Sequence, residues 1–552
     1  MATTQAGAPV GSSLTDAPPT ERPPAEEPPP EEPQHDGAVF DTAATRYLCA
    51  GTYLDDRFRG WVLTQVYGNT ASRVAPSYGF DVVPVVAHAR RAWGIAAAQD
   101  AILTALLVFA GWYLTPSTAF LCTLAYLWFL LVNVRDYAKQ WTVRFFRLPH
   151  RKPHPQESLI LKEERRRIRD STVFLLPLTA GAFAVTLWRG WGIVDVALGA
   201  VVIIGVTGFV LGLAELARRR SLRALWSDFE PVPLNRRLKA IDVQQRSPVV
   251  AHVDDPFIGS GQIVHTWEFT QRLLRPRDDA GGRKGSEFAD PPFRTSELVR
   301  HIRESLNRLA RDRGRETKLP GLRVSDLLLV EGRHLGRYRS LLNHRPRLEE
   351  LEEFMADSLA PGRHHLACQI TSWDGEIVTT VYLHTSLQGG LLYLKYTIYA
   401  LTPIPERFKV INEMGNASFN AAAKVFLGKL LSAPRALRAP RDLWNAVRTA
   451  GCVLTSPKDR TDNPRLNIGV RVSVREHLAA TRDRSYFQAM DVAKHSKIIE
   501  RRIISAVGEF LHGRVLTTEF EERATYILNS GVLNMGSGDV QIGNANTIGS
   551  AA

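Results

Sequence analysis

Cysteine is scarce: the chain has four in 552 residues, at Cys49, Cys122, Cys368 and Cys452, with no C-x-x-C pair. That usage excludes a disulfide framework and the common zinc spacings. His364, His365 and His384 likewise match no common zinc site. The loop Pro256-Phe257-Ile258-Gly259-Ser260-Gly261 has no Lys-Ser or Lys-Thr after it, so it reads as a tight turn and not as a phosphate cradle. The N-terminus lacks a basic region followed by an apolar one, so no cleavable signal is expected. There is no nucleic-acid reading motif. No residue is assigned a catalytic, cofactor-binding or metal-binding role, and no enzyme class is expected.

What the chain does have is apolar length. Between Trp93 and Ala217 four runs are long enough to cross a bilayer as helices, in two pairs. The first runs from about Trp93 to Leu114 and the second from about Pro116 to Val134. The third runs from Thr172 to Trp188 and the fourth from Ile193 to Ala217. Thr115-Pro116-Ser117 and Arg189-Gly190-Trp191-Gly192 are turns, which makes each pair a hairpin. Residues 135–171 carry eleven Lys and Arg against five Asp and Glu, and Arg218-Arg219-Arg220 follow the last run. The bias of basic residues toward the inner side places the central loop and both termini in the cytoplasm of a multi-pass cell-membrane protein. The net charge of +13 makes anionic inner-leaflet lipid the first partner expected, ahead of nucleic acid.

Three carboxylates fall in the apolar runs: Asp100, Asp195 and Glu215. Asp100 and Asp195 are the candidate intramembrane polar site. The competing reading pairs Asp100 with Arg90, Arg91 or a basic residue of a neighbouring helix. Gly199, Gly205, Gly208 and Gly212 suit close helix packing.

Residues 1–36 form a Pro/Glu-rich tail expected to be disordered. Residues 37–92 read as cytoplasmic juxtamembrane helices, with Val82 to Ala92 lying on the inner interface. Residues 93–134 are the first hairpin, 135–171 the basic loop and 172–217 the second hairpin. Residues 218–455 form a cytoplasmic α+β domain, entered through a linker over Ser221 to Asn235. Val249–Val253, Ile263–Phe269 and Val324–Val330 are strand candidates. Ser296 caps a helix with Leu298, Ile302, Leu306 and Leu309 on one face. A second amphipathic helix carries Leu348, Leu351, Met355 and Leu359. Residues 366–401 alternate through two turns as an antiparallel meander. Residues 416–452 are helical and basic, suited either to an anionic bilayer surface or to packing on the sheet. Residues 456–528 are a helical segment with helices at 486–511 and 517–528.

The last segment, 529–552, is Gly/Asn-rich and β-prone. Its centre is Val540-Gln541-Ile542-Gly543, followed by Asn544-Ala545-Asn546-Thr547. An apolar residue, Gln, an apolar residue and Gly is the core shared by bacterial amyloid-signalling motifs, which resemble the necroptosis RHIM motif. The resemblance implies a prion-like segment that passes assembly from a receptor to an effector, with Val540, Gln541, Ile542 and Gly543 as the self-assembly motif. The rest of the chain resembles uncharacterised actinobacterial four-span membrane proteins, through Tyr47 to Ala50, Val74 to Gly79 and Pro256 to Gly261. That resemblance implies the four-span layout and carries no activity.

The sequence therefore leads to a membrane α-helical protein with a cytoplasmic α+β domain. It is expected to be a non-enzymatic signalling or scaffold component whose tail drives homo-oligomerisation or captures a protein partner. The alternative is a small transporter or channel using Asp100 and Asp195.

Overall fold

The fold was examined in a computed structural model. It describes residues 42–114, 193–227, 233–276, 285–312, 317–342, 346–409, 433–455, 467–478 and 485–529, apart from a few single residues within or beside these stretches. The expected second and third apolar runs, the basic loop and both terminal tails lie almost wholly outside the described residues. What is described belongs to one unit, Val39–Ala552.

Three short elements open it: α1 (Ala43–Leu54), α2 (Asp56–Trp61) and a π-helical stretch over Val62–Tyr67. Thr42 caps α1 through the Thr45 N–H, and Asp55 caps α2 through Arg57 and Phe58. Arg59 pairs with Asp56 at 2.8 Å, so these charges form a salt-bridged helix start. Asp81 then caps α3 (Val82–Tyr113), a helix of 32 residues. The segment 82–92 is not a separate surface helix. It is the first three turns of α3, and Val82, Val83, Val85, Val86, Ala89 and Ala92 are buried in a core with α1 and α2.

The second long helix, α4 (Ile193–Ser227), also outruns its apolar part. Leu222 and Leu225 lie in the same core, so helix continues where a linker was expected. Close packing involves Gly199, where a Cβ would meet Ser117. Gly208 and Gly212 are buried, but Gly205 faces open space. After α5 (Arg236–Gln245) the sheet begins.

The sheet has six strands: β1 (Val249–His252), β2 (Gln262–Arg272), β3 (Leu322–Glu331), β4 (Gly362–Ser372), β5 (Ile377–Gln388) and β6 (Leu391–Leu401). Their order is β1-β3-β4-β5-β6-β2. The expected meander is there, antiparallel throughout β4-β5-β6. Gly389 and Gly390, at φ +59° and +72°, make the tight β5–β6 turn, a conformation that glycine adopts without strain. The β1–β3 pair is parallel, which makes the sheet mixed.

One sheet face packs against α6 (Thr295–Arg311), α7 (Leu348–Ala356), α10 (Tyr486–Leu511) and α11 (Thr518–Asn529) in a single core. Residues 486–529 thus share the core of the α+β domain. The stripe Leu298, Ile302, Leu306 is buried as its spacing requires. Helix α6 begins at Thr295 with no side-chain cap, so Ser296 is inside it and not the cap. Leu359 lies beyond α7 and is exposed. Of the basic region, residues 416–432 lie outside the described residues; the rest forms a 3₁₀ turn (Ala433–Arg438) and α8 (Ala439–Leu454), which packs on α3. A 3₁₀ helix (Gly336–Leu342) follows β3, and a short helix, α9 (Val474–Leu478), follows α8.

Two buried arginines join the parts. Arg237 donates to the carbonyls of Tyr67 (3.2 Å), Val66 (3.2 Å) and Asn69 (2.7 Å), closing the end of the π-helical stretch. Arg475 reaches the carbonyls of Tyr78 and Thr402 at 3.4 Å each, and those of Gly375 and Glu376. It ties the N-terminal helices to the β4–β5 turn and the end of β6. Burial lowers its basicity to about 10, so it still carries its charge at neutral pH. Replacing Arg475 with Met leaves buried carbonyls unpaired. It is expected to cost about 3 kcal/mol of stability, read as a fall in the thermal midpoint of the full chain in detergent. A change under about 1 kcal/mol would contradict this role.

Candidate functional site

Helices α3 and α4 are each long and apolar enough to cross a membrane by length and composition. A core helix of a soluble protein would pass the same test, but such a helix is mostly buried. Here only 17% of the apolar window of α3 and 33% of that of α4 is buried. Val108, Phe109 and Trp112 on α3 are exposed, as are Val194, Leu198, Val201, Phe209 and Leu213 on α4, with Trp112 and Val194 about three-quarters exposed. Leucines and valines displayed in rows are far more apolar surface than a water-facing domain tolerates.

The apolar belt stops at a collar of polar groups. Arg218 donates to the Gln99 carboxamide oxygen (3.1 Å), joining α4 to α3. Arg219 pairs with Glu215 one turn apart (3.1 Å). The charges acting on Asp100 are Asp442 of α8, Arg218, and Asp56 and Arg59 of α2. Asp100 accepts from the Gln99 carboxamide at 3.4 Å and lies within electrostatic reach of two carboxylates as well as two arginines. Arg218, Arg219 and Arg220 of α4 and Arg90 and Arg91 of α3 lie at or below that level. From Gly199, beside Ser117, to Arg218 the axis of α4 measures about 28 Å.

Asp195 is exposed in the first turn of α4, at the other end. The 23 residues from Asp195 to Arg218 correspond to about 35 Å of helix. Asp100 and Asp195 are thus at opposite ends of the pair and do not form one polar site.

The glycine loop is a true anion-accepting bend, but the chain fills it. Glu476 accepts the N–H groups of Gly259 and Gly261, both at 2.8 Å. Glycine is required at both, with φ of +99° and +93°. Ser260 bonds to Tyr382 (2.7 Å), and Tyr382 donates to Tyr78 (3.3 Å). A carboxylate 215 residues away is not a signal that local spacing could reveal.

The three histidines divide between structural roles. His364 bonds to Asp326 (2.8 Å), which also pairs with Arg303. Burial pushes the Asp326 carboxyl up, but the His364 hydrogen bond and the Arg303 charge outweigh it and hold it below the usual range. His365 and His384 stack at 4.9 Å beside Phe257. His384 Nδ1 donates to the His364 carbonyl (2.8 Å). No group of three His, Cys, Asp or Glu side chains suited to a metal occurs among the described residues. The Val540-Gln541-Ile542-Gly543 motif lies outside them.

Burial, then the neighbouring His384, lowers the His365 pKa to about 3, and burial lowers that of His384. Both are neutral when folded, whereas in the unfolded chain they titrate near 6.5. The unfolded state binds more protons below pH 6.5, so stability falls as pH drops from about 6.5 toward 3. The thermal midpoint is expected to fall between pH 7 and pH 4, and His365→Phe to flatten that fall. Equal slopes in variant and parent would contradict the assignment.

A family model described as an AbeC-like domain matches residues 266–542, half of the chain. It begins within β2, covers β3 to β6 and the helices packed on them, leaves out β1, and ends at Ile542. No curated protein and no solved structure matches the chain.

Proposed function

The chain belongs to the AbeC-like domain family, and from that premise we propose a non-enzymatic, multi-pass membrane protein that acts as a signalling or scaffold component. The α3–α4 pair and the two other apolar runs anchor it in the cell membrane with both termini in the cytoplasm. The C-terminal tail mediates self-assembly or captures a protein partner.

One observation carries the tail's part in this. The family match does not stop at the last packed helix but continues through Val540, Gln541 and Ile542. The match takes in three of the four motif residues and stops before Gly543, which supports reading the tail as a working part. The anchor rests on the exposed apolar belt, which on α4 runs from Val194 to Arg218, about 36 Å of helix and enough to cross a hydrocarbon core of about 30 Å. The basic groups at the collar favour the cytoplasmic side. The alternative is a small transporter or channel using Asp100 and Asp195, which lie about a helix length apart.

A peptide of residues 529–552 is expected to form thioflavin-positive fibres, and the same peptide with Val540 to Gly543 replaced by alanine is not. The tagged full chain is expected to cluster in membranes, and Ile542→Asp to disperse the clusters. Soluble native peptide across salt and concentration, together with unclustered full chain, would refute the assembly role.

A further inference from the structure

Helix α8 presents three different faces. Ala439 and Val453 are buried against the N-terminal helices and α3. Trp93 Nε1 donates to Thr449 Oγ1 (3.0 Å) and Arg90 Nε to the Val453 carbonyl (3.3 Å). Ala436 and Ala439 meet Leu103, so α8 runs antiparallel to α3, starting just above the collar and descending past it. Beside the packed face, Trp444, Val447 and Leu454 are exposed at helical spacing, 60%, 54% and 71% accessible. Arg438, Arg441 and Arg448 are exposed along the flank, with Arg448 over the Trp444 ring at 5.6 Å.

We infer that α8 is an interfacial docking helix for anionic lipid, with Trp444 and Val447 entering the headgroup layer and the flanking arginines binding lipid phosphates. The inference rests on the membrane reading of α3 and α4 and adds a lipid-selective contact to it. Two observations favour lipid over a second copy of the chain. The first turns of α8 lie at the collar where the apolar belt of α3 ends, so the exposed strip continues that belt. Its flank carries three arginines against one carboxylate, Asp442, which suits an anionic surface and repels an identical basic face. Tryptophan is also the side chain that a bilayer interface favours.

The test uses the full chain in nanodiscs of phosphatidylcholine alone or in an equimolar mixture with phosphatidylglycerol, with amide hydrogen exchange followed over residues 439–454. Exchange is expected to be about tenfold slower in the anionic discs, and the difference to disappear in the double variant R441Q/R448Q and at high salt. Unchanged exchange over α10 shows that the variant is folded. Equal exchange in both discs overturns the lipid contact while leaving the anchor intact. Protection that rises with protein concentration overturns it in favour of a second copy. Failure of the chain to enter either disc overturns the anchor and this inference together.

Discussion

Helices α3 and α4 each carry a buried base and an exposed apolar run on a single uninterrupted rod, and the architecture follows from that constraint. On the proposed membrane reading, a backbone that leaves water must keep its own hydrogen bonds, so neither helix can break where its surroundings change. The lower turns of each are buried among α1, α2 and α5, while many apolar side chains of the upper turns are exposed. The change comes at Gln99, Asp100, Glu215 and Arg218. Among these groups Arg218 bonds to Gln99, Glu215 pairs with Arg219, and Asp100 accepts from Gln99.

Below the collar the chain is cross-braced rather than jointed. Arg237 and Arg475 spend their donors on carbonyls of loops and helix ends that no ladder or helix bond satisfies. Glu476 does the converse for the N–H groups at Gly259 and Gly261. One short element, α9, thus supplies both a cation for orphan acceptors and an anion for orphan donors. This fixes the sheet against the helical base of α3 and α4.

Local pattern carried much of this fold. Alternation placed β3 to β6 within a few residues, and the 3.6-residue stripe placed α6. Hydropathy marks where a solvent changes and not where a helix ends, so Val82–Ala92 and Ser221–Ser227 were read as separate pieces although both belong to the long helices. The parallel β1–β3 pair joins strands some 70 residues apart and has no local signature. The same holds for Arg218 with Gln99, and for Glu476 with its glycine loop. Asp100 was legible as a charge out of place. The partners around it, drawn from α2, α4 and α8, were not.

The central claim is that α3 crosses a bilayer with its base on the cytoplasmic side. It is tested most directly by impermeant thiol labelling of the full chain, with its four native cysteines replaced, in intact and lysed cells. Leu114→Cys, at the end of α3, is expected to label in intact cells. Arg57→Cys, exposed at the base, is expected to label only after lysis. Labelling of both positions from the same side would contradict the account.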